Sequence, residues 1–179
     1  MPFARKVATA KPPSRSAFAS ALRRLSRRDH SEQELRRALT DEGHTTEDVE
    51  DALVRVKSSR YVDDKTYAER FTRSRLSFHG QGRARIRHGL RQRGVDGELV
   101  DGALRQAADD GLEREALDAA AKRYWRTHAR VPVPDRTRRL WAFLMRRGFP
   151  AGLVQERLRG LWPAQGEILE GLEVVPADE

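Results

Sequence analysis

The sequence has no cysteine and no long apolar run. Without cysteine among its 179 residues, the chain has no disulfides, no thiolate zinc sites and no cysteine nucleophiles, which suits a reducing cytoplasm. No apolar run approaches the roughly 20 residues that a membrane-spanning helix needs. The N-terminal stretch MPFARKVATAKPPSRS is basic but lacks the apolar core of a secretory signal. We therefore expect a soluble, cytoplasmic protein.

Sequence signals of catalysis, metal binding and nucleotide binding are also missing. The five histidines lack ligand spacing such as H-x-x-x-H, and neither a G-x-S-x-G elbow nor a G-x-x-x-x-G-K-[ST] loop is present. Asp63 and Asp64 could form an acid and base pair, but helix capping is the simpler interpretation. Gly80 and Gly82 indicate a hinge and not a nucleotide cradle. We expect no catalytic residues, no cofactor and no metal site.

Arginine is abundant, and it is distributed unevenly. The chain has 30 arginines against 5 lysines, with a formal net charge of +8. The window 70–93 holds eight arginines and no carboxylate, whereas residues 1–16 carry four basic groups and residues 162–179 carry five acidic groups and no basic one. An arginine block of this kind is expected of a surface that meets phosphate or an acidic protein. A solvated helix face is the alternative.

One sequence pattern occurs three times. LRRALTDEGHTTEDVEDAL (35–53), IRHGLRQRGVDGELVDGAL (86–104) and LWAFLMRRGFPAGLVQERL (140–158) align without gaps. Apolar residues four apart place a stripe on one helix face, and a glycine after the last turn closes the helix in the left-handed conformation. Each copy predicts helix, glycine stop, helix, and a further helical pattern precedes each copy. The matching positions are Leu35, Ile86 and Leu140; Leu39, Leu90 and Leu144; Gly43, Gly94 and Gly148; Val49, Val100 and Val154; and Leu53, Leu104 and Leu158.

The predicted fold is all-α. No alternating strand pattern of useful length occurs, and three tandem three-helix repeats, each too small to bury its apolar face alone, would stack into an elongated, curved, right-to-left solenoid-like array. Helix starts are predicted at Ser31 with Glu34 as a capping box, at Asp63 or Asp64, and at Pro150 in a first turn. The predicted segments are a basic disordered arm (1–16), three repeats (17–62, 63–111 and 112–161) and an acidic tail (162–179).

The order and spacing of these motifs resemble the RecX family of regulatory proteins. The stretch YVDDKTYAERFTRSRLSFHGQGRARIRHGLRQRGV has an aspartate pair, an F-x-x-x-R helix, a glycine-rich bend, I-x-x-x-L and a glycine stop; SRRDHSEQELRRAL and LMRRGF match the first and third repeats. The resemblance covers residues 17–161, with Arg83 standing where many members are expected to have proline. It implies a monomeric modulator of the RecA recombinase and not an enzyme. Such a protein binds the RecA filament on single-stranded DNA and inhibits ATP hydrolysis and strand exchange, or limits filament growth.

The main candidate binding residues are arginines of the second repeat. Arg83, Arg87 and Arg91, named here the arginine row, follow one flank of the apolar stripe at helical spacing. The other two repeats have no such row, so the repeated fold does not require it. It predicts a contact surface for DNA phosphate or an acidic face of RecA, with a solvated helix flank as the alternative. Further candidates on the preceding helix are Arg70, Arg73 and Arg75.

A second candidate patch lies in the third repeat. Tyr124 and Trp125 beside it could stack on bases, although packing inside the repeat is the simpler interpretation. Arg146 and Arg147 also fit the ordinary preference for cations in the last turn of a helix. The members of the patch are Lys122, Arg123 and Arg126, with Arg138, Arg139, Arg146 and Arg147.

Two functions remain open from the sequence. One is the modulator of RecA filaments; the other is a stand-alone helical DNA-binding protein that contacts phosphates without sequence specificity. The arginine row has no Asn or Gln pair that would read adenine. A purely phosphate-driven binder should weaken steeply with salt, whereas a filament binder should keep a salt-resistant component when RecA is present. The acidic tail is expected to compete with DNA or an acidic partner for the basic repeats.

Overall fold

The structure is a computed structural model that describes residues 15–162. Within this range the chain forms nine α-helices and no strand, so the prediction of an all-α repeat fold is confirmed. The predicted basic arm up to residue 14 and the acidic tail from residue 163 lie outside the described residues. The helices are α1 (Ala17–Leu25), α2 (Glu32–Asp41), α3 (Thr46–Ser58), α4 (Asp64–Ser77), α5 (Arg83–Gln92), α6 (Gly97–Asp109), α7 (Leu112–Thr127), α8 (Val133–Arg146) and α9 (Ala151–Leu161).

The chain divides into two compact units. Within the described residues, the first unit contains 15–67 and 93–95, and the second contains 68–92 and 96–162. The segment boundaries predicted from the sequence stay a prediction.

The first unit buries one apolar cluster between its three complete helices. Leu35 and Leu39, the predicted stripe of α2, are fully buried and pack with Leu53 and Val56 of α3. Burying one such side chain contributes about 1.5–3 kcal/mol relative to leaving it exposed. The remaining members of the cluster are Val49, Val62 and three alanines. The alanines, Ala17 and Ala21 of α1 and Ala52 of α3, let these two helices pack closely.

The predicted capping box at the start of α2 is confirmed. The Glu34 amide donates to Ser31 Oγ at 3.1 Å, and the Ser31 amide donates to Glu34 Oε2 at 3.3 Å. Burial acts to raise the pKa of Glu34, but hydrogen bonds from Arg28, from the Ser31 amide and from Tyr67 outweigh it and hold that pKa below its usual value. Glu34 is therefore ionised, and it holds the start of α2 against Tyr67 within the first unit.

Tyr67 should make the stability of the first unit fall at high pH. Its hydroxyl donates to Glu34 Oε2 at 3.1 Å, and burial, together with the charge of Glu34, raises the pKa of Tyr67 from 10.0 to about 12. Because the folded state holds this proton more tightly than the unfolded state, the contribution is complete below pH 10 and is lost as the pH rises towards 12. Urea unfolding between pH 8 and pH 11.5 should show a steeper loss of stability for the wild type than for Tyr67→Phe. Parallel pH curves would contradict this account.

The second unit buries the stripes of the second and third repeats. Helix α5 packs on α6, α6 packs on α7, and α7 packs on both α8 and α9. Ile86 and Leu90 of α5 are fully buried, as are Leu140 and Leu144 at the matching positions of α8. The stripe predicted from the sequence is thus the side of each helix that faces the core.

The predicted helix ends are confirmed in most details. Gly43, Gly94 and Gly148 all have positive φ, as a left-handed helix stop requires. Asp63 caps α4, because its Oδ1 accepts from the Lys65 amide at 3.0 Å. Pro150 departs slightly from the prediction: it occupies the capping position before α9 and not its first turn.

Two hydrogen bonds join matching positions of the repeats. In the first unit, Ser31 Oγ donates to the Arg93 carbonyl at 2.5 Å, just before the glycine stop of α5. In the second unit, the Gly82 amide donates to the Arg147 carbonyl at 2.8 Å, just before the glycine stop of α8. A Cβ atom at Gly82 would lie 2.3 Å from the Phe149 nitrogen. This close backbone approach explains the glycine at position 82, which the hinge interpretation did not.

Candidate functional site

Helix α5 carries the arginine row predicted from the sequence. The helix begins at Arg83 and buries Ile86 and Leu90, so the row runs along the flank of a buried stripe as expected. The Arg83 amide donates to Glu113 Oε1 at 3.2 Å. A proline at position 83 would have no N–H to make this bond. The arginine at position 83 therefore supplies a hydrogen bond at the start of α5 that a proline could not make.

Arg83 is fixed in place by a buried carboxylate. Its Nε donates to Glu113 Oε2 at 2.9 Å, and its terminal nitrogen makes a second bond to the same oxygen. Glu113 is only 4% exposed and is the second residue of α7. The hydrogen bond that Arg83 donates to Glu113 is the main cause that raises the pKa of Arg83. This arginine holds α5 against α7, whatever else it binds.

The other two members of the row differ in their surroundings. Arg87 donates to Asp101 Oδ1 at 2.7 Å, and this hydrogen bond is the main cause that lowers the pKa of Asp101. Arg91 is exposed and acts on Asp101 only through its charge. Arg85 is exposed too, although its spacing placed it outside the predicted row. Among the described residues, Arg85 and Arg91 are the cations of α5 that form no ion pair.

The three candidate arginines of α4 have different surroundings. Arg73 lies 3.9 Å from Asp110 in a loose ion pair. The guanidinium of Arg75 lies over the Phe71 ring, 4.7 Å from its centroid. Arg70 is exposed. Their role as binding residues stays a prediction.

The candidate patch of α7 is more uniformly open to solvent. Lys122, Arg123 and Arg126 are all exposed, and none forms an ion pair within the described part of the chain. The neighbouring rings make contacts inside the unit: Tyr124 stacks on His128 with centroids 3.9 Å apart, and the Arg136 guanidinium lies 3.9 Å from the centroid of Trp125. Those ring contacts agree with the packing interpretation of both aromatic residues.

Of the four remaining arginines in the patch, Arg147 is the one that is least exposed to solvent and whose guanidinium makes contacts inside the protein. Its guanidinium donates to the His79 carbonyl and lies over the Phe143 ring, 4.9 Å from the centroid. Arg138, Arg139 and Arg146 are exposed.

Sequence reasoning missed a groove in the second unit. The end of α4, α7 and the end of α8 enclose it, and its lining includes Phe78, Ala120, Arg123 and Arg147. Phe78 is 85% exposed, which is unusual for a large apolar side chain. A signal was present in Ala116, Ala119 and Ala120, whose i, i+3, i+4 spacing leaves one face of α7 without large side chains. We name this feature the Phe78 groove.

The described residues show neither a metal centre nor a membrane span. No group of three or more His, Asp or Glu side chains between residues 15 and 162 is placed to hold a metal ion. None of the helices in the same range is long and apolar enough to cross a membrane.

Models of known protein families match the chain in three consecutive blocks. The first three-helix domain of RecX matches residues 17–55, the second matches residues 63–104 and the third matches residues 112–158. Together these blocks cover most of the described residues.

Individual relatives extend the match over most of the chain. The chain is 34% identical over 143 residues to Regulatory protein RecX of Trichlorobacter lovleyi, covering 78% of this chain and 91% of that protein. It is 39% identical over 137 residues to Regulatory protein RecX of Halorhodospira halophila, covering 76% of this chain and 82% of that protein. The crystal structure of RecX from Lactobacillus salivarius shares the fold, with a TM-score of 0.72 at 19% identity over 81% of this chain and 94% of that one. These matches indicate a regulatory family and no catalytic one. The chain belongs to the RecX family of regulatory proteins.

Proposed function

We propose that this protein binds RecA filaments on single-stranded DNA and inhibits them, lowering RecA ATP hydrolysis and strand exchange and limiting filament growth. It acts in the cytoplasm as a monomer and without a cofactor. The observation that carries the proposal is the presence of all three RecX three-helix domains in order along one chain. Repeat proteins of this kind commonly use an extended surface for binding.

The charge distribution supports a filament-directed surface. Arg85 and Arg91 on α5, with Lys122, Arg123 and Arg126 on α7, are exposed cations without an ion pair among the described residues. Cations of this kind assist encounter and orientation more than they add affinity. Arg83 and Arg87 support the surface indirectly, because their ion pairs hold α5 on α7 and α6.

The test is the RecA ATPase on single-stranded DNA at moderate salt with substoichiometric amounts of this protein. The variant Arg85→Glu/Arg91→Glu removes the exposed cations of α5 and leaves both ion pairs of that helix intact. We expect wild type to suppress hydrolysis and the double variant to need about tenfold more protein, which corresponds to about 1.4 kcal/mol of lost interaction. Binding to the same DNA without RecA is measured alongside.

A matched control separates the surface from net charge. Arg27→Glu/Lys65→Glu makes the same charge change at two exposed positions of the first unit. This control should inhibit as wild type does. If both double variants fail equally, the effect belongs to overall charge and not to α5.

The alternative function is a stand-alone DNA-binding protein that contacts phosphates without sequence specificity. The eight arginines of the window 70–93, with no carboxylate among them, favour it. In that case suppression appears only when the DNA itself is covered, and binding weakens steeply with salt in the presence of RecA as well. That pair of results would replace the filament proposal with the alternative.

A further inference from the structure

The Phe78 groove has both apolar and cationic lining residues. Ala119 and Ala120 of α7 and the ring of Phe143 from α8 contribute apolar lining, and Phe78 stands at one side with 85% of its surface exposed. Exposed apolar surfaces bordered by polar groups are typical of binding sites. A segment with apolar side chains would therefore fit this lining.

The positive charge of the groove lining favours an acidic ligand. Arg123 and Arg147 line it, together with two histidines, and no carboxylate is among its lining residues in the described part of the chain. Arg123 is exposed and forms no ion pair within residues 15–162. An occupant that combines acidic and aliphatic side chains would match both features.

The C-terminal segment 163–179 has this chemistry. Its sequence PAQGEILEGLEVVPADE carries five carboxylate side chains and no basic residue. Aliphatic residues alternate with the acidic ones at Ile168, Leu169, Leu172, Val174 and Val175. The segment can therefore present apolar groups to the floor of a groove and carboxylates to its edge.

The described chain ends against α7, the helix that lines one side of the groove. Trp162 stacks on Trp125 of α7 with ring centroids 4.6 Å apart, and Trp125 is the neighbour of Tyr124, which lines the groove. At about 3.3 Å per residue, even a partly extended segment of this length reaches across α7. A short tether also gives the segment an effective concentration on the order of millimolar.

We propose that the acidic segment 163–179 occupies the Phe78 groove of its own chain, with its aliphatic side chains against Ala119 and Ala120 and its carboxylates near Arg123 and Arg147. The groove is then an internal docking surface, covered in the free protein by the C-terminal segment. This assignment does not depend on RecA or DNA.

Disulfide trapping in the full chain tests the assignment. Because the sequence has no cysteine, Ala119→Cys with Leu172→Cys places a single thiol pair in the molecule. Oxidised glutathione accepts the two electrons and the disulfide closes between groove and segment. We expect an intramolecular disulfide to form about tenfold faster than in the matched variant Arg114→Cys with Leu172→Cys, since proximity sets the effective concentration. Arg114 is exposed on the same helix and does not line the groove.

Three outcomes overturn the assignment. Equal trapping rates at positions 114 and 119 would mean that the segment meets α7 by random collision. Disulfide-linked dimers at low protein concentration would mean that the groove takes the segment of a second copy. Failure of the position-119 variant to form an intramolecular disulfide would mean that the segment lies elsewhere. The assay contains neither RecA nor DNA, so its result and that of the ATPase experiment are independent.

A charge variant tests the role of the groove edge. In the trapping variant at position 119, Arg123→Glu should slow disulfide formation at least threefold, because it places a carboxylate against the acidic segment. Arg126→Glu makes the same charge change on the same helix, outside the groove, and should leave the rate unchanged. Equal slowing by both substitutions would contradict an occupant bound at Arg123.

Discussion

Gly82→Ala is expected to lower the free energy of unfolding by about 3 kcal/mol, near the upper end for overpacking in a close-packed interior. The added Cβ would lie 2.3 Å from the Phe149 nitrogen and 2.4 Å from the Gly148 carbonyl oxygen, and backbone atoms cannot turn aside as a side chain can. For a chain of this size the loss corresponds to a fall in melting temperature of about 6–12 °C. Thermal and urea unfolding followed by circular dichroism measure both quantities.

The matched control for Gly82→Ala is Gly102→Ala. Gly102 lies inside α6, and a Cβ there meets nothing within 4 Å. This substitution should stabilise the protein by about 0.5–1 kcal/mol, the ordinary gain of alanine over glycine inside a helix. If Gly82→Ala were as stable as wild type, the close approach of Gly82 to the turn at Gly148 would be wrong.

Arg83→Ala is the second substitution with a large expected effect. It leaves the carboxylate of Glu113, whose side chain is 5% exposed, without its charged partner. Removing one member of a buried ion pair typically costs about 3–5 kcal/mol. Because the Arg83 side chain is 40% exposed, water can reach part of the site, and we expect a loss near the lower end, about 3 kcal/mol. Urea unfolding at neutral pH measures it.

Two further variants identify the cause of that loss. Arg83→Met/Glu113→Leu removes both charges and keeps apolar bulk, so it should recover most of the stability that Arg83→Ala loses. Arg87→Ala should have a much smaller effect, because Asp101 remains in contact with water. If the three variants unfold alike, the Arg83–Glu113 pair does not hold α5 on α7.

The helices and their ends could be predicted because their causes are local. The stripe at Ile86 and Leu90 follows from residues four apart on one helix, and the stop at Gly94 follows from a backbone conformation that glycine adopts easily. The capping box at Ser31 spans only four residues. None of these features depends on what another part of the chain provides.

The ion pairs and the solvent exposure of the candidate site could not be predicted from local sequence. Helical spacing makes Arg83, Arg87 and Arg91 equivalent, yet one is fixed by a buried carboxylate, one shares an ion pair with a half-exposed carboxylate and one is exposed. The difference comes from Glu113, which is 30 residues away from Arg83 along the chain. The Phe78 groove escaped prediction for the same reason, since three helices that are distant in sequence form its walls.

The hydrogen bonds at the glycine stops also bear on how the chain is made. The Ser31 hydroxyl bonds to a carbonyl that is 62 residues further along, and the Gly82 amide bonds to the carbonyl of residue 147. A ribosome adds roughly 5–20 amino acids per second, so the Arg93 carbonyl is synthesised about 3–12 s after the Ser31 hydroxyl that donates to it. These contacts of the first and second repeats therefore form only after the helix that carries the partner in the following repeat has been synthesised. A nascent chain that stops before residue 147 has the start of α5 without its partner, so truncation from the C-terminal side should expose the second repeat to proteolysis before the first.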